Sequence, residues 1–193
     1  MAELRITGGE LGGRRIRGPR GAREVRPTTE RVREAVFSIL GNVSGARVLD
    51  LFCGTGALGI EALSRGAAEA TLVDTHPRTA RANLESLDLT ERAQVVREDA
   101  ARFLRGAEEG SFDLVLCDPP YRLADRLAAD LDPLIRRVLA EGGRVMVESS
   151  PDRPLPLSLP VLTERTYGDT MIRIFDGAPQ AKPRSNVIGG AGR

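Results

Sequence analysis

From residue 46 onward the chain alternates between two hydrophobic periods. Short apolar runs at 46–52 (ARVLDLF), 69–74 (EATLVD), 93–99 (AQVVRED), 112–117 (FDLVLC) and 144–150 (RVMVESS) read as strands. Between them, 56–66, 77–89, 101–106 and 124–143 carry helical spacing, the last expected to kink or restart at Pro133. Strand–helix alternation with short connections predicts an open, mostly parallel sheet with helices on both faces. The end of the chain breaks the rhythm. Residues 161–168 and 170–176 are two strands with only Asp169-Thr170 near their junction, which predicts an antiparallel hairpin at the sheet edge and seven strands in all.

Upstream, residues 4–18 (LRITGGELGGRRIRG) predict two short strands joined by a Gly-rich turn, followed by a loop. A helix then starts at Thr28 or Thr29 as cap, carries its apolar stripe on Val32, Ala35, Val36, Ile39 and Leu40, and stops at Gly41. Residues 177–193 are poor in core-forming side chains and read as a loose tail. The expected division is a basic hairpin-and-loop extension over 1–27, the main domain over 28–176 and the tail over 177–193.

A 193-residue chain with 41% hydrophobic and 28% charged residues fits one globular domain with a small appendage. No apolar run reaches membrane-span length, the N-terminus lacks a signal-peptide core, and two cysteines stand without metal-like spacing. These features lead us to expect a reduced, cytoplasmic protein without a metal. Cys53 and Cys117 end strands expected to be neighbours, so the two thiols are expected to lie close together and stay reduced. The net charge of +1 hides an asymmetry: residues 1–33 hold nine arginines against four glutamates, a net of +5, leaving −4 on the other 160. A basic patch beside a weakly acidic body points to nucleic acid, with Arg14, Arg15, Arg17, Arg26 and Arg31 as candidate contacts. Oligomerisation is not signalled, and a monomer is expected.

Gly54-Thr55-Gly56-Ala57-Leu58-Gly59 matches G-x-G-x-x-G between a strand and a helix, and Asp74 follows twenty residues after Gly54. That spacing also suits a nicotinamide dinucleotide, so the motif alone does not choose a ligand. Asp50, four residues before Gly54, does discriminate: a carboxylate there repels a pyrophosphate but suits the ammonium and sulfonium of S-adenosylmethionine. Four successive strand ends carry acids, Asp50, Asp74, Asp99 and Asp118, on the side where open α/β sheets bind ligands.

In this order, VLDLFCGTGALGIEALSRGA, VD, ED and LCDPPY resemble the motifs of class I S-adenosylmethionine-dependent methyltransferases, which have a Rossmann-like fold. RITGGELGGRRI followed by VRPTTERVREAVFSIL is similar to the N-terminal signature of the RsmD family, over roughly residues 4–176. That family methylates the exocyclic N2 of a guanine in bacterial small-subunit ribosomal RNA. The resemblance implies that Asp50, Gly54 and Gly56, with Phe52, Thr55 and Gly59 around them, hold the methionine portion of the cofactor. It implies Asp74 for the ribose, Asp99 with Ala100 for the adenine, and Asp118 beside the cofactor. It implies an assembled small-subunit particle, or a late assembly intermediate, as substrate.

Asp118-Pro119-Pro120-Tyr121 then has a chemical reading. An exocyclic amine is a poor nucleophile because its lone pair is delocalised into the base. Two fixed acceptors, the Asp118 carboxylate and the Pro119 carbonyl, can hold its N–H bonds and aim the lone pair at the methyl group. The prolines fix φ and remove competing donors. Tyr121 can stack on an extruded base. Three other readings use the same residues: a DNA adenine-N6 methyltransferase, a protein-glutamine methyltransferase and a non-catalytic RNA-binding assembly factor. No segment is large enough for a separate DNA-reading domain, and the glutamine enzymes usually begin the motif with asparagine. His76, the only histidine, is assigned no role, which leaves hydrolase chemistry without support.

Overall fold

The computed structural model describes residues 3–18, 30–120 and 124–177, with the helical residues 124–128 given by their backbone alone. The proposed cap at Thr28 or Thr29, the loop over 19–27, Arg26, Tyr121 and the tail beyond Gly177 lie outside the described residues.

A hairpin of β1 (Glu3–Arg5) and β2 (Arg15–Arg17) opens the chain, followed by α1 (Glu30–Leu40). Then come β3 (Arg47–Leu51), α2 (Ala57–Ser64), β4 (Glu69–Asp74), α3 (Arg78–Ser86), β5 (Ala93–Arg97), α4 (Ala100–Gly106), β6 (Phe112–Cys117), α5 (Ala124–Val138), β7 (Leu139–Ser149), β8 (Val161–Tyr167) and β9 (Thr170–Asp176). The seven-stranded sheet runs β5-β4-β3-β6-β7-β9-β8. The five strands from β5 to β7 pair in parallel, and β9 pairs antiparallel with both β7 and β8. This is the Rossmann-like, mostly parallel sheet with a C-terminal antiparallel hairpin that the sequence leads one to expect.

Alternation along each strand sends successive side chains to opposite faces. One face carries Val48, Leu72, Leu114, Leu116 and Met146 and is covered by α1, α2, α3 and the N-terminal hairpin, which contributes Leu4, Ile6 and Ile16. The other carries Leu49, Leu51, Val73, Val115 and Cys117 and is covered by α4 and α5. Both cysteines are free and buried. Cys117 ends β6 and Cys53 lies two residues beyond the end of its neighbour β3, and Cys53 packs in the first core while Cys117 packs in the second.

Two features differ from the sequence reading. The helix expected to run to residue 143 ends at Val138, and Leu139–Gly143 lengthen β7 instead. Leu139 pairs with Phe112 across a register shift, so cross-strand pairing overrides the local helical pattern. The buried positions of α1 are Val32, Arg33, Val36, Phe37 and Leu40, so Arg33 and Phe37 join the expected stripe while Ala35 and Ile39 are only half-buried. Among the described residues, no helix is long and apolar enough to cross a membrane, and no three His, Cys, Asp or Glu side chains gather as a metal site.

Candidate active site

In this strand order the chain leaves β3 in one direction through β4 and returns on its other side as β6, so the carboxyl ends of β3 and β6 flank a topological switch point. Register places the ends together: Leu51 is opposite both Val73 and Cys117, and Asp74 is opposite Arg97. Asp50, Asp74, Asp118 and the 97–99 turn therefore line one edge of the sheet.

The glycine loop is built at the end of β3. Phe52, half-buried, has φ +61°, a left-handed conformation that costs a non-glycine residue on the order of 1 kcal/mol and turns the strand sharply into the loop. The loop is then tied by backbone bonds from Cys53 N–H to the Val73 carbonyl (3.1 Å) and from Gly56 N–H to the Cys53 carbonyl (2.7 Å). Gly56 precedes α2 with φ +78°, and a Cβ there would come within 2.8 Å of Leu72. At Gly59 the constraint is close packing: a Cβ would sit 3.1 Å from Asp50 Oδ2. Without it, Gly59 N–H donates directly to that oxygen at 2.9 Å.

The acids differ in setting. Asp50 is 1% exposed. Burial pushes its carboxyl up to about 7, the Gly59 N–H opposes the rise, and the neighbouring Asp74 charge adds to it. Asp74 is half-buried and accepts from Gly54 N–H through Oδ2 (2.9 Å) and from His76 N–H through Oδ1 (2.7 Å). It thereby couples the end of β4 to the glycine loop. Asp99 is exposed and lies just beyond β5; it caps α4, its Oδ1 accepting from Arg102 N–H at 3.1 Å, with buried Ala100 as the first helical residue. Asp118 is half-buried directly after β6, Pro119 is buried and Pro120 exposed. Burial, with the Asp118 and Asp50 charges, raises the Cys117 thiol far above its ordinary value, so it stays a neutral packing group.

Residues 4–176 match the family described as conserved hypothetical protein 95, to which RsmD belongs. The chain belongs to the RsmD family. Its RsmD-family relatives include Bacillus subtilis YlbH, 37% identical over 182 residues that span 89% of this chain and 98% of YlbH. Escherichia coli ribosomal RNA small subunit methyltransferase D is 34% identical over 189 residues, 93% of each chain. A solved Escherichia coli structure at 34% identity superposes with a TM-score of 0.79, over 93% of this chain and all of its own.

Four of the candidate RNA contacts of this RsmD-family chain lie among the described residues. Arg14, Arg15, Arg17 and Arg31 are exposed on the hairpin and the start of α1, and Arg15 pairs with Glu3 at 2.7 Å. Arg33, counted with the basic segment, is instead buried against Glu61 (3.2 Å). Glu61 also accepts from Thr7 N–H (2.8 Å), the Thr7 hydroxyl (2.7 Å) and Arg65 (2.8 Å). Sequence reasoning missed this cluster. Its signal is a carboxylate in the otherwise apolar helix ALGIEALS and an arginine in phase with Val36, Phe37 and Leu40.

Proposed function

We propose that the protein transfers a methyl group from S-adenosylmethionine to the exocyclic N2 of a guanine in small-subunit ribosomal RNA, within an assembled or nearly assembled particle. The observation that carries this reading is the placement of Asp118 and Pro119 after β6, next to the end of β3 that carries Asp50 and the glycine loop, with Asp74 at the end of β4 on its other side. Family membership and its named Escherichia coli relative support the class of substrate. The cofactor fits the residues present: a buried acid at Asp50 and a second at Asp74 suit a ligand with cationic centres, and Gly54, where a Cβ would meet nothing closer than 3.9 Å, leaves the start of the loop open. When bound, the cofactor supplies an electrophilic methyl group on a sulfonium.

In this reading Asp50, Phe52 and the Gly54–Gly59 loop hold the methionine end, Asp74 the ribose, and Asp99 with Ala100 the adenine. The Asp118 carboxylate and the Pro119 carbonyl accept the two N–H bonds of the target amine and fix its lone pair. Pro119 has no N–H of its own to compete. Tyr121 stacks on the extruded base. Asp118 need not be strongly basic, because the amine becomes cationic on methylation and then releases its proton readily. Much of the rate gain comes from orientation and preorganised acceptors. Arg14, Arg15, Arg17, Arg26 and Arg31 hold the phosphate backbone.

The test is transfer of labelled methyl from S-adenosylmethionine to small subunits and to naked ribosomal RNA from a strain lacking the enzyme. The proposal expects label on the particle in preference to the naked RNA. Label on duplex DNA alone, or binding of NAD in place of S-adenosylmethionine, would refute it.

A further inference from the structure

Asn83 lies on α3, is fully buried, and has no part in the site as described so far. Packing alone would be served better by an aliphatic side chain, since a core amide must have its donors and acceptor satisfied. Asn83 satisfies them on two separate segments. Its Oδ1 accepts from Arg17 N–H at 2.8 Å, and its Nδ2 donates to the Arg17 carbonyl at 3.0 Å. The second Nδ2 hydrogen goes to the Thr55 carbonyl at 2.9 Å.

Both segments matter. Thr55 stands between Gly54 (φ +52°) and Gly56 (φ +78°), so the peptide joining Thr55 to Gly56 lies where the chain has most freedom to rotate. Its N–H is bound to the Cys53 carbonyl and its C=O to Asn83, which holds the peptide at both ends. On the other side, Asn83 bonds the Arg17 peptide as a neighbouring strand would. Arg17 ends β2, pairs with Glu3 across the hairpin, and turns its side chain to solvent.

We infer that Asn83 is a positioning residue shared by the cofactor loop and the RNA-facing strand: one buried amide fixes the Thr55 and Arg17 peptides relative to each other. The inference rests on the proposed reading of these two segments. The hairpin has a second anchor, Thr7 on Glu61, that does not touch the glycine loop. That anchor provides the control, because a purely structural docking role predicts the same outcome at either anchor.

Asn83→Ala and Thr7→Val are compared with the parent, each first checked for folding by circular dichroism. Asn83→Ala should weaken S-adenosylhomocysteine binding about tenfold, the order of the one hydrogen bond lost to the loop. Its cofactor KM should rise while kcat at saturation stays within about threefold, the pattern of a lost positioning contact. Affinity for small-subunit ribosomal RNA should fall as well. Thr7→Val should leave S-adenosylhomocysteine affinity within about twofold, because no hydrogen bond to the loop is lost. In the parent, S-adenosylhomocysteine should slow hydrogen exchange at the Arg17 and Gly56 amides but not at Thr7. Unchanged cofactor affinity in folded Asn83→Ala, equal losses at both anchors, or an Arg17 amide indifferent to the ligand would each overturn the inference. The last holds even if Asn83→Ala does not fold. A parent that binds no S-adenosylhomocysteine would instead bring down the methyltransferase reading on which the inference rests.

Discussion

Asp50 and Asp118 end neighbouring strands yet ask for opposite treatment. Asp118 is proposed to orient the amine, so Asp118→Ala should retain S-adenosylhomocysteine affinity within about threefold while single-turnover methylation falls about 10²–10³-fold, as when a preorganised polar partner is removed. Calorimetry and rapid quench separate the two effects, and near-normal turnover would dismiss the role. For Asp50 the readout is pH. Its folded carboxyl holds a proton up to about 7, against the usual 3.8. Between those values the folded state binds more protons than the unfolded one, so this residue makes stability fall as pH rises through that window. Asp50→Asn should flatten that part of a melting-temperature profile taken from pH 4 to 8; an unchanged slope would mean that Asp50 is not the group responsible. At this scale the acids and prolines were legible because their chemistry is local. The left-handed Phe52 was not, since φ is imposed by the strand end and the loop together.

The alternating elements were legible because hydrophobic period follows from which face each element buries. What escaped was set by partners distant in sequence: Leu139 joined β7 through Phe112, and Arg33 turned inward through Glu61 on α2. Burial alone would raise the Glu61 carboxyl. Donors from Thr7, then Arg65 and the Arg33 charge, outweigh it and hold Glu61 below its usual 4.5. A depressed carboxylate stabilises above the unfolded value and loses that contribution as pH falls through the folded one, so this contact between hairpin and helix should weaken only below about 4.5. Glu61→Ala leaves Arg33 buried without its carboxylate and should cost about 3–5 kcal/mol. Urea unfolding at pH 7 measures this, and a loss under about 1 kcal/mol would place Glu61 among ordinary surface-like ion pairs.

Across the whole molecule, the small hairpin is no detached arm. Leu4, Ile6 and Ile16 share the main core, while Arg14, Arg15 and Arg17 stay exposed on its outer side. The basic excess of the first 33 residues announced this face, but composition could not separate the exposed arginines from the buried Arg33. Changing Arg14, Arg15 and Arg17 together to glutamine should weaken RNA binding and flatten its dependence on salt, since each phosphate contact releases counterions. S-adenosylhomocysteine affinity should not move. An unaltered salt slope would make these arginines a solvated surface. Nucleoside mass spectrometry of small-subunit RNA reads methylation of a guanine N2 without an intermediary. Small subunits from a strain lacking the enzyme should yield RNA that lacks one N2-methylguanosine, restored when the subunits are incubated with S-adenosylmethionine and the parent protein but not with Asp118→Ala. Restoration of a different methylated nucleoside, or equal restoration by Asp118→Ala, would contradict it.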